Sequence, residues 1–145
     1  MLVSEDKILQ LIPQRPPMVM IHELHSCDTK QVVSRFTVRK DNIFVDEKGL
    51  SASGLLENMA QTAAARIGWL MKNMPGGENN IPPVGVIGSI KNFKLYFRPE
   101  PGSVLETTVR IEHEVLQATI VKGKVEVNGI LAAETEMQIF ITENQ

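Results

Sequence analysis

The sequence predicts an α+β domain in which a twisted antiparallel sheet wraps around one long central helix. Residues 53–71 form the one long segment with clear helical spacing, and the side chains around it are nearly all apolar or small. Residues 31–39 before it and residues 84–142 after it carry the alternation and the turn signals of β-strands. A helix with so little polar surface has to be covered on most sides, and a curved sheet provides that cover.

The central helix carries a single charge in its first half. Glu57 lies there among apolar neighbours, with Gln61 one turn further along. A carboxylate on the most buried helix of a domain is the first residue to examine for function. The apolar and small positions recur at helical spacing and are Leu56, Met59, Ala60, Ala63, Ala64, Ile67, Gly68 and Leu70.

The chain before the helix begins with a short amphipathic segment that Ser4 can cap. A proline-rich turn follows, since prolines at 13, 16 and 17 forbid helix. The predicted elements are a short helix over residues 4–11, the proline-rich turn, strands over residues 18–27 and 31–39, and a loop over residues 41–51.

The chain after the helix is predicted to be a loop followed by sheet. Gly85 and Gly88 lie inside a strand pattern, where glycine marks a bulge or a close backbone approach. Asn128 and Gly129 form the strongest short hairpin signal. The predicted elements are a loop over residues 73–83 and strands over residues 84–97, 104–115, 119–127 and 130–142. One helix enclosed by such a sheet is the hotdog arrangement.

The bulk composition is that of a single globular domain, residues 1–145, with 43% hydrophobic and 22% charged residues. A net charge of −2 favours neither a nucleic-acid partner nor an anionic membrane. The single cysteine, Cys27, excludes an internal disulfide and fits a reducing compartment. The N-terminus lacks the basic start and apolar core of a signal peptide, and no apolar run approaches the roughly 20 residues that span a bilayer. We therefore expect a soluble cytoplasmic protein.

Four segments resemble motifs of the 3-hydroxyacyl-ACP dehydratases. Residues 11–18, with the sequence LIPQRPPM, resemble the proline-rich segment of that family, and residues 57–61, ENMAQ, resemble its E-x-x-A-Q helix motif. Residues 88–94 and 97–102 resemble its glycine-led strand and its R-P-x-x-P-G turn. The segments occur in the family's order over most of the chain, so the resemblance implies a hotdog fold and a thioester ligand.

The chain departs from that family in the loop before the helix. The dehydratases carry a G-H-F-P-G loop whose histidine is half of the catalytic pair, whereas residues 42–54 contain no histidine. Gln14 also replaces the histidine of the proline-rich segment. The sequence FVDE from residue 44, together with the helix motif, is most similar to the dehydratase-like proteins of aryl polyene synthesis, which likewise lack the loop histidine.

The resemblance implies two candidate acid–base residues. Dehydration needs a base that removes the C2 proton and an acid that protonates the leaving hydroxyl. Glu57 matches the helix acid that shares this work with a histidine across the family's dimer interface; the alternative is a carboxylate that stabilises the helix N-terminus. Asp46 lies where the histidine loop should be; the alternative is a turn aspartate before Gly49.

Four further residues are predicted to bind substrate. Gln61 would orient Glu57 or the substrate, or would be an ordinary polar neighbour. Backbone N–H groups near Gly54, at the start of the helix, would hold the thioester carbonyl oxygen. Gln14 and Arg15 belong to the proline-rich segment. Four basic side chains could bind the phosphate of a phosphopantetheine arm or an acidic carrier protein. The alternative is that they are ordinary solvated surface residues. They are Arg15, Lys91, Lys94 and Arg98.

The three histidines are predicted to be structural rather than catalytic. His22 and His25 fall on opposite faces of the first strand, so at most one can face the site. His113 lies in the apolar row of its strand, which is typical of a hydrogen-bonded core histidine.

The sequence therefore predicts a 3-hydroxyacyl thioester dehydratase of acyl-chain synthesis, acting on a substrate carried by a carrier protein or CoA. It predicts no metal and no cofactor, because no ligand cluster or phosphate loop is visible. Single-helix domains of this kind usually pair, so we expect a homodimer or a higher oligomer, with a heterodimer with another dehydratase as the alternative. Two alternatives stay open, a hotdog thioesterase and a non-catalytic partner subunit of an active dehydratase.

Overall fold

The architecture is one helix against a curved antiparallel sheet. The computed structural model describes residues 1–79, 81–82 and 84–142, so positions 80 and 83 of the predicted loop lie outside the described residues. Within these ranges the helix α1 spans Ala52–Lys72 and packs on a six-stranded sheet of order β1-β2-β6-β7-β8-β5. The strands in chain order are β1 (Glu23–Cys27), β2 (Gln31–Thr37), β3 (Val45–Asp46), β4 (Gly49–Leu50), β5 (Val84–Leu95), β6 (Val104–Val115), β7 (Ala118–Val127) and β8 (Ile130–Thr142), of which β3 and β4 form a separate short hairpin.

The core lies between α1 and the concave face of the sheet. Met59 is fully buried, and Gly123 of β7 makes room for it, since a Cβ atom there would lie 2.9 Å from the Met59 sulfur. The side chains that fill this layer are apolar and pack closely against one another. They include Leu55, Ala63, Val109, Val121, Val125, Ala133 and Met137.

The covered face of α1 differs from the predicted one. Leu56, Ile67 and Leu70 are only half-buried, whereas four polar or charged positions are buried: Asn58, Gln61, Thr62 and Arg66. The difference has a physical cause, because the fold supplies hydrogen-bond partners for these polar groups. Arg66 donates to the Thr29 carbonyl at 2.7 Å and to the Glu114 carboxylate at 3.1 Å, and the partners of the other three are described below.

The predicted N-terminal helix over residues 4–11 is a single 3₁₀ turn, Ile8–Gln10. The chain before it is drawn to the sheet, where Val3 forms an isolated bridge with Leu24. The Ser4 hydroxyl hydrogen-bonds to the Asp6 carboxylate instead of to a backbone N–H, so it does not cap a helix.

The first strand starts later than predicted, at Glu23 rather than at residue 18. Residues 18–20 run along α1, and their backbone groups bond to helix side chains: the Met20 N–H donates to Gln61 Oε1 at 2.7 Å and the Met20 carbonyl accepts from Asn58 at 2.8 Å. Backbone groups used in this way cannot join a strand ladder.

The later strands match the prediction closely, with one correction. The Asn128–Gly129 hairpin is confirmed, with φ of 52° and 78°, the left-handed values that a type I′ turn requires. Val115, predicted to point inside, is 64% exposed, and His113, predicted to lie in the core, is exposed as well. A register shift between Ile111 and His113 turns the end of β6 over, because one extra residue moves every later side chain to the other face.

Within the described residues, no helix is both long enough and apolar enough to cross a membrane.

Candidate active site

Glu57 lies in the second turn of α1 and is half-buried. The helix N-terminus has its own cap, since the Ser51 hydroxyl accepts a hydrogen bond from the Gly54 N–H at 3.2 Å. No acidic residue occupies the first turn. Glu57 therefore does not cap the helix, and the alternative interpretation of this carboxylate loses its support.

Gln61 holds Glu57 in place. Its amide nitrogen donates to Glu57 Oε1 and to the Met18 carbonyl, each at 2.8 Å, and its oxygen accepts from the Met20 N–H. Both N–H groups and the oxygen of this buried amide are thus engaged, so it cannot turn over without losing bonds. No described residue donates to the other Glu57 oxygen, Oε2, which remains open to a ligand.

Glu57 faces a cavity of about 270 Å³ between α1 and the edge of the sheet. It is the only ionisable side chain among the described residues that line this space, and Gln14 is the only other polar one. The rest of the lining is apolar and comes from α1, β5 and β8: Ala60, Ala64, Gly85, Val86, Ile87 and Ile139. The structure therefore places one carboxylate and one amide in an otherwise apolar cavity.

The proline-rich segment contributes to this cavity through Gln14 and not through Arg15. The side-chain oxygen of Gln14 is buried and has no hydrogen-bond partner among the described residues. Arg15 is exposed and turns back on its own backbone, where it donates to the carbonyls of Ile12 at 2.9 Å and Gln14 at 2.7 Å.

Asp46 does not meet Glu57 within the chain. Its carboxylate accepts from Arg98 at 2.7 Å and from the Lys48 N–H at 2.8 Å, and these bonds hold its pKa below the ordinary value of 3.8. Arg98 also donates to the carbonyls of Leu50 and Gly49, at 3.0 and 2.8 Å. The geometry is that of an ion pair that orders the β3–β4 hairpin, and a carboxyl group of lowered pKa is a weak base.

Gly54 does not line the cavity either. It is buried, its N–H is engaged by the Ser51 cap, and a Cβ atom on it would lie 2.7 Å from both the Leu50 and the Phe44 side chains. Its small size allows the helix to pack against the preceding loop.

The described histidines lie away from the Glu57 cavity. His22 is half-buried, stacks on Phe36 with 4.3 Å between ring centres, and lines a separate cavity of about 370 Å³. His25 and His113 are exposed. Lys91 and Lys94 are exposed on β5. Among the described residues, no three His, Cys, Asp or Glu side chains are grouped to hold a metal ion.

Sequence reasoning did not identify a buried polar network next to Glu57. Asn58 accepts from the Thr107 hydroxyl at 2.6 Å, and Thr62 donates to the Asn58 carbonyl and bonds to Ser34 at 2.7 Å. Together with Gln61, the network fixes the helix against β2, β6 and the proline-rich segment. Asn58 and Thr62 are four residues apart and so lie on one face of the helix, and this spacing was the available signal.

Fold and cavity together define a hotdog-fold protein in which a carboxylate from the central helix lines a mostly apolar cavity. The family model described as "ApeP-like: ApeP dehydratase" matches residues 6–145. The chain belongs to this ApeP-like dehydratase family, as the sequence motifs predicted. No curated protein matches it.

Solved structures with the same fold include the following three. The dehydratase heterocomplex ApeI:P from Xenorhabdus doucetiae matches with a TM-score of 0.84 and 17% identity, covering 94% of this chain and 91% of that chain. The HP0420 homologue from Helicobacter felis has a TM-score of 0.67 and 15% identity, covering 98% and 92%. A hypothetical thioesterase with coenzyme A from Streptococcus pneumoniae TIGR4 has a TM-score of 0.65 and 13% identity, covering 85% and 87%. At these identities the likeness shows the fold.

Proposed function

We propose that this chain takes part in the dehydration of a 3-hydroxyacyl thioester to a 2-enoyl thioester, with Glu57 as its acid–base residue. The observation that carries the proposal is the Glu57 carboxylate, fixed by Gln61 in a cavity where no other described side chain ionises. Apolar walls suit an acyl chain, and the open Oε2 atom suits proton transfer.

The reaction breaks the C2–H and C3–O bonds, forms the C2=C3 double bond and releases water. Glu57 removes the C2 proton, the electrons of that bond form the double bond, and the hydroxyl leaves with a proton. One carboxyl group serves both proton transfers if it returns the same proton to the leaving oxygen, which requires both groups on one face of the acyl chain. If a partner subunit supplied a second acid–base group, one group would remove the C2 proton and the other would protonate the leaving hydroxyl.

A partner subunit is supported by the edge of the sheet. β5 is a twelve-residue edge strand that also forms one wall of the Glu57 cavity. It exposes Val86 and Ile90, at 50% and 42%, and long apolar edges of this kind are normally covered. We infer that a second subunit, identical or a related dehydratase, adds to β5 and closes the cavity. The ApeI:P heterocomplex has the same fold and contains two different chains, which favours a heterodimer as the active assembly.

The acyl group would be carried as a thioester of CoA or of a carrier protein. The Streptococcus pneumoniae hypothetical thioesterase of similar fold was solved with coenzyme A, which supports this class of ligand. We propose that the protein works in the cytoplasm, where these carriers are made.

The test is an assay of the purified chain, alone and with a candidate partner dehydratase, on 3-hydroxyacyl and saturated acyl thioesters. We expect enoyl product from the 3-hydroxyacyl thioester. We expect Glu57→Gln to lower its rate by about 100-fold or more, the usual contribution of an acid–base residue. Glu47→Gln, at an exposed position before the helix, is the matched control and keeps the rate.

The other outcomes separate the alternatives. Dehydration that is unaffected by Glu57→Gln, with or without the partner, would show that Glu57 is not the acid–base residue. Activity that needs the partner and ignores Glu57 would make the chain a non-catalytic subunit, and release of free thiol would make it a thioesterase. Asp46→Asn, tested in parallel, decides whether the loop aspartate contributes; its ion pair with Arg98 leads us to expect a rate close to wild type.

A further inference from the structure

One of the residues that line the Glu57 cavity has a buried side-chain oxygen without a donor among the described residues. This atom is the Oε1 oxygen of Gln14. Buried acceptors of this kind are uncommon in folded proteins, because losing water without gaining a donor is unfavourable. A group that completes the cavity is therefore expected to donate a hydrogen bond to Gln14.

The described side chains do not supply this donor. Gln61, which holds Glu57, has both of its N–H groups committed, to Met18 and to Glu57. The other lining residues carry no polar side chain: Ala60, Ala64, Gly85, Val86, Ile87 and Ile139. The Arg15 guanidinium is bound to backbone carbonyls.

The acyl group of the proposed substrate contains a suitable donor at one position, whereas the amide N–H groups of the carrier's pantetheine arm lie beyond the thioester sulfur and away from the reacting carbons. The thioester group offers only acceptors, namely its carbonyl oxygen and its sulfur, and the acyl chain is apolar. The 3-hydroxyl is the O–H donor next to the reacting carbons. We propose that Gln14 is the specificity residue for this hydroxyl and accepts its O–H through Oε1. This inference rests on the proposed function.

The contact would also orient the leaving group. With its hydrogen directed at Gln14, the hydroxyl turns its lone pairs towards Glu57. Glu57 takes the C2 proton, the C2–H electrons form the C2=C3 bond, and the C3–O electrons stay on the leaving oxygen. That oxygen receives the proton from Glu57 and departs as water, with its original O–H still bonded to Gln14.

The test compares two inhibitors in the assembly that catalyses dehydration. Both are CoA thioesters with two fluorine atoms at C2, so no proton can be removed there; one carries the 3-hydroxyl and the other lacks it. We expect the wild type to bind the hydroxylated compound about tenfold more tightly, since one buried hydrogen bond is worth roughly that factor. Gln14→Met should abolish this preference, whereas Gln14→Glu, which keeps an acceptor, should retain it.

The control is Gln10→Met, at an exposed position of the same N-terminal segment, which should keep the preference. Circular dichroism melting of each variant verifies that it is folded. Equal binding of both inhibitors to the wild type, a preference that survives Gln14→Met, or a folded Gln14→Glu without preference would each overturn the role of Gln14 and leave the proposed function standing. If neither inhibitor competes with substrate, the role of Gln14 and the proposed function both fall.

Discussion

His22 is held in a single tautomer at the residue scale. Its Nδ1 atom accepts a hydrogen bond from the Thr37 N–H at 3.0 Å, so the proton of the neutral ring is on Nε2. Protonation would add a hydrogen to Nδ1, so this bond would be lost and the two N–H groups, of His22 and Thr37, would face each other. Burial lowers the pKa of His22 from its ordinary value of 6.5, against the opposing influence of Glu5, whose carboxylate lies 4.0 Å from Nε2.

This geometry predicts an acid-sensitive contribution to stability. Because the pKa of His22 is lower in the folded state, the unfolded chain binds more protons as the pH falls below about 6.5. The free energy of unfolding should therefore decrease from pH 7.5 to pH 5, and less so in His22→Asn, whose side-chain oxygen can still accept from Thr37. Urea unfolding at a series of pH values measures this.

The exposed His25 provides the comparison, and His25→Asn should follow the wild type across the same range. A His22→Asn variant with unchanged pH dependence would show that burial of this ring does not control the titration.

At the scale of the secondary-structure elements, close contact with the proline-rich segment fixes the position of α1. At Gly68 a Cβ atom would lie 2.2 Å from the Leu11 carbonyl oxygen, which is a backbone atom and cannot swing aside. Glycine is unfavourable inside a helix by about 1 kcal/mol relative to alanine. Its presence here is explained by the need for this approach.

Gly68→Ala should therefore destabilise the protein although alanine is the better helix former. We expect a loss of about 1–3 kcal/mol in the free energy of unfolding, the usual result of overpacking. Chemical denaturation of the variant and of Ser53→Ala, at an exposed position of α1, measures the difference. An unchanged or higher stability of Gly68→Ala would mean that the helix is not confined at this point.

The same contacts explain how far the sequence could be interpreted. The extent of α1 and the hairpin at Asn128 were predictable, because spacing and turn chemistry are local. The start of β1 could not be predicted, because the Met20 N–H is hydrogen-bonded to Gln61, which lies 41 residues away in the sequence. Glu57 stood out as a lone carboxylate on the helix. The role of Asp46 could not be predicted, because its ion-pair partner, Arg98, lies 52 residues further along the chain and local sequence does not reveal such a contact.

The two edges of the sheet differ at the scale of the whole molecule. β1 is a five-residue edge strand with an irregularity between Leu24 and Ser26, and the N-terminal segment bonds to it through Leu24. β5 also has irregularities, between Ile87 and Ser89 and between Lys91 and Lys94, but it is twelve residues long, and no described strand pairs with its outer side. This asymmetry is why we propose association through β5, because a short covered edge does not need a partner and a long open one does.

A charge placed on this edge should therefore change the oligomeric state. We expect Ile90→Lys, at a 42% exposed position of β5, to shift the protein to smaller species or to abolish binding of a partner dehydratase. Sedimentation analysis of the chain alone and with the partner measures this. Ile130→Lys, at a 64% exposed position beside the β7–β8 turn, should have no effect. Equal behaviour of both variants would exclude the β5 edge as the contact.

The helix α1 binds residues 18–20 through their main-chain atoms and not through their side chains. Asn58 and Gln61 bond to the main-chain atoms of Met18 and Met20, so these bonds survive a change of side chain at the 41% exposed position 18. Positions 58 and 61 have no such freedom, because a residue without an amide there leaves main-chain groups unpaired in the interior. Related sequences are therefore expected to vary more at position 18, where only main-chain atoms are bonded, than at positions 58 and 61, whose side chains make the bonds.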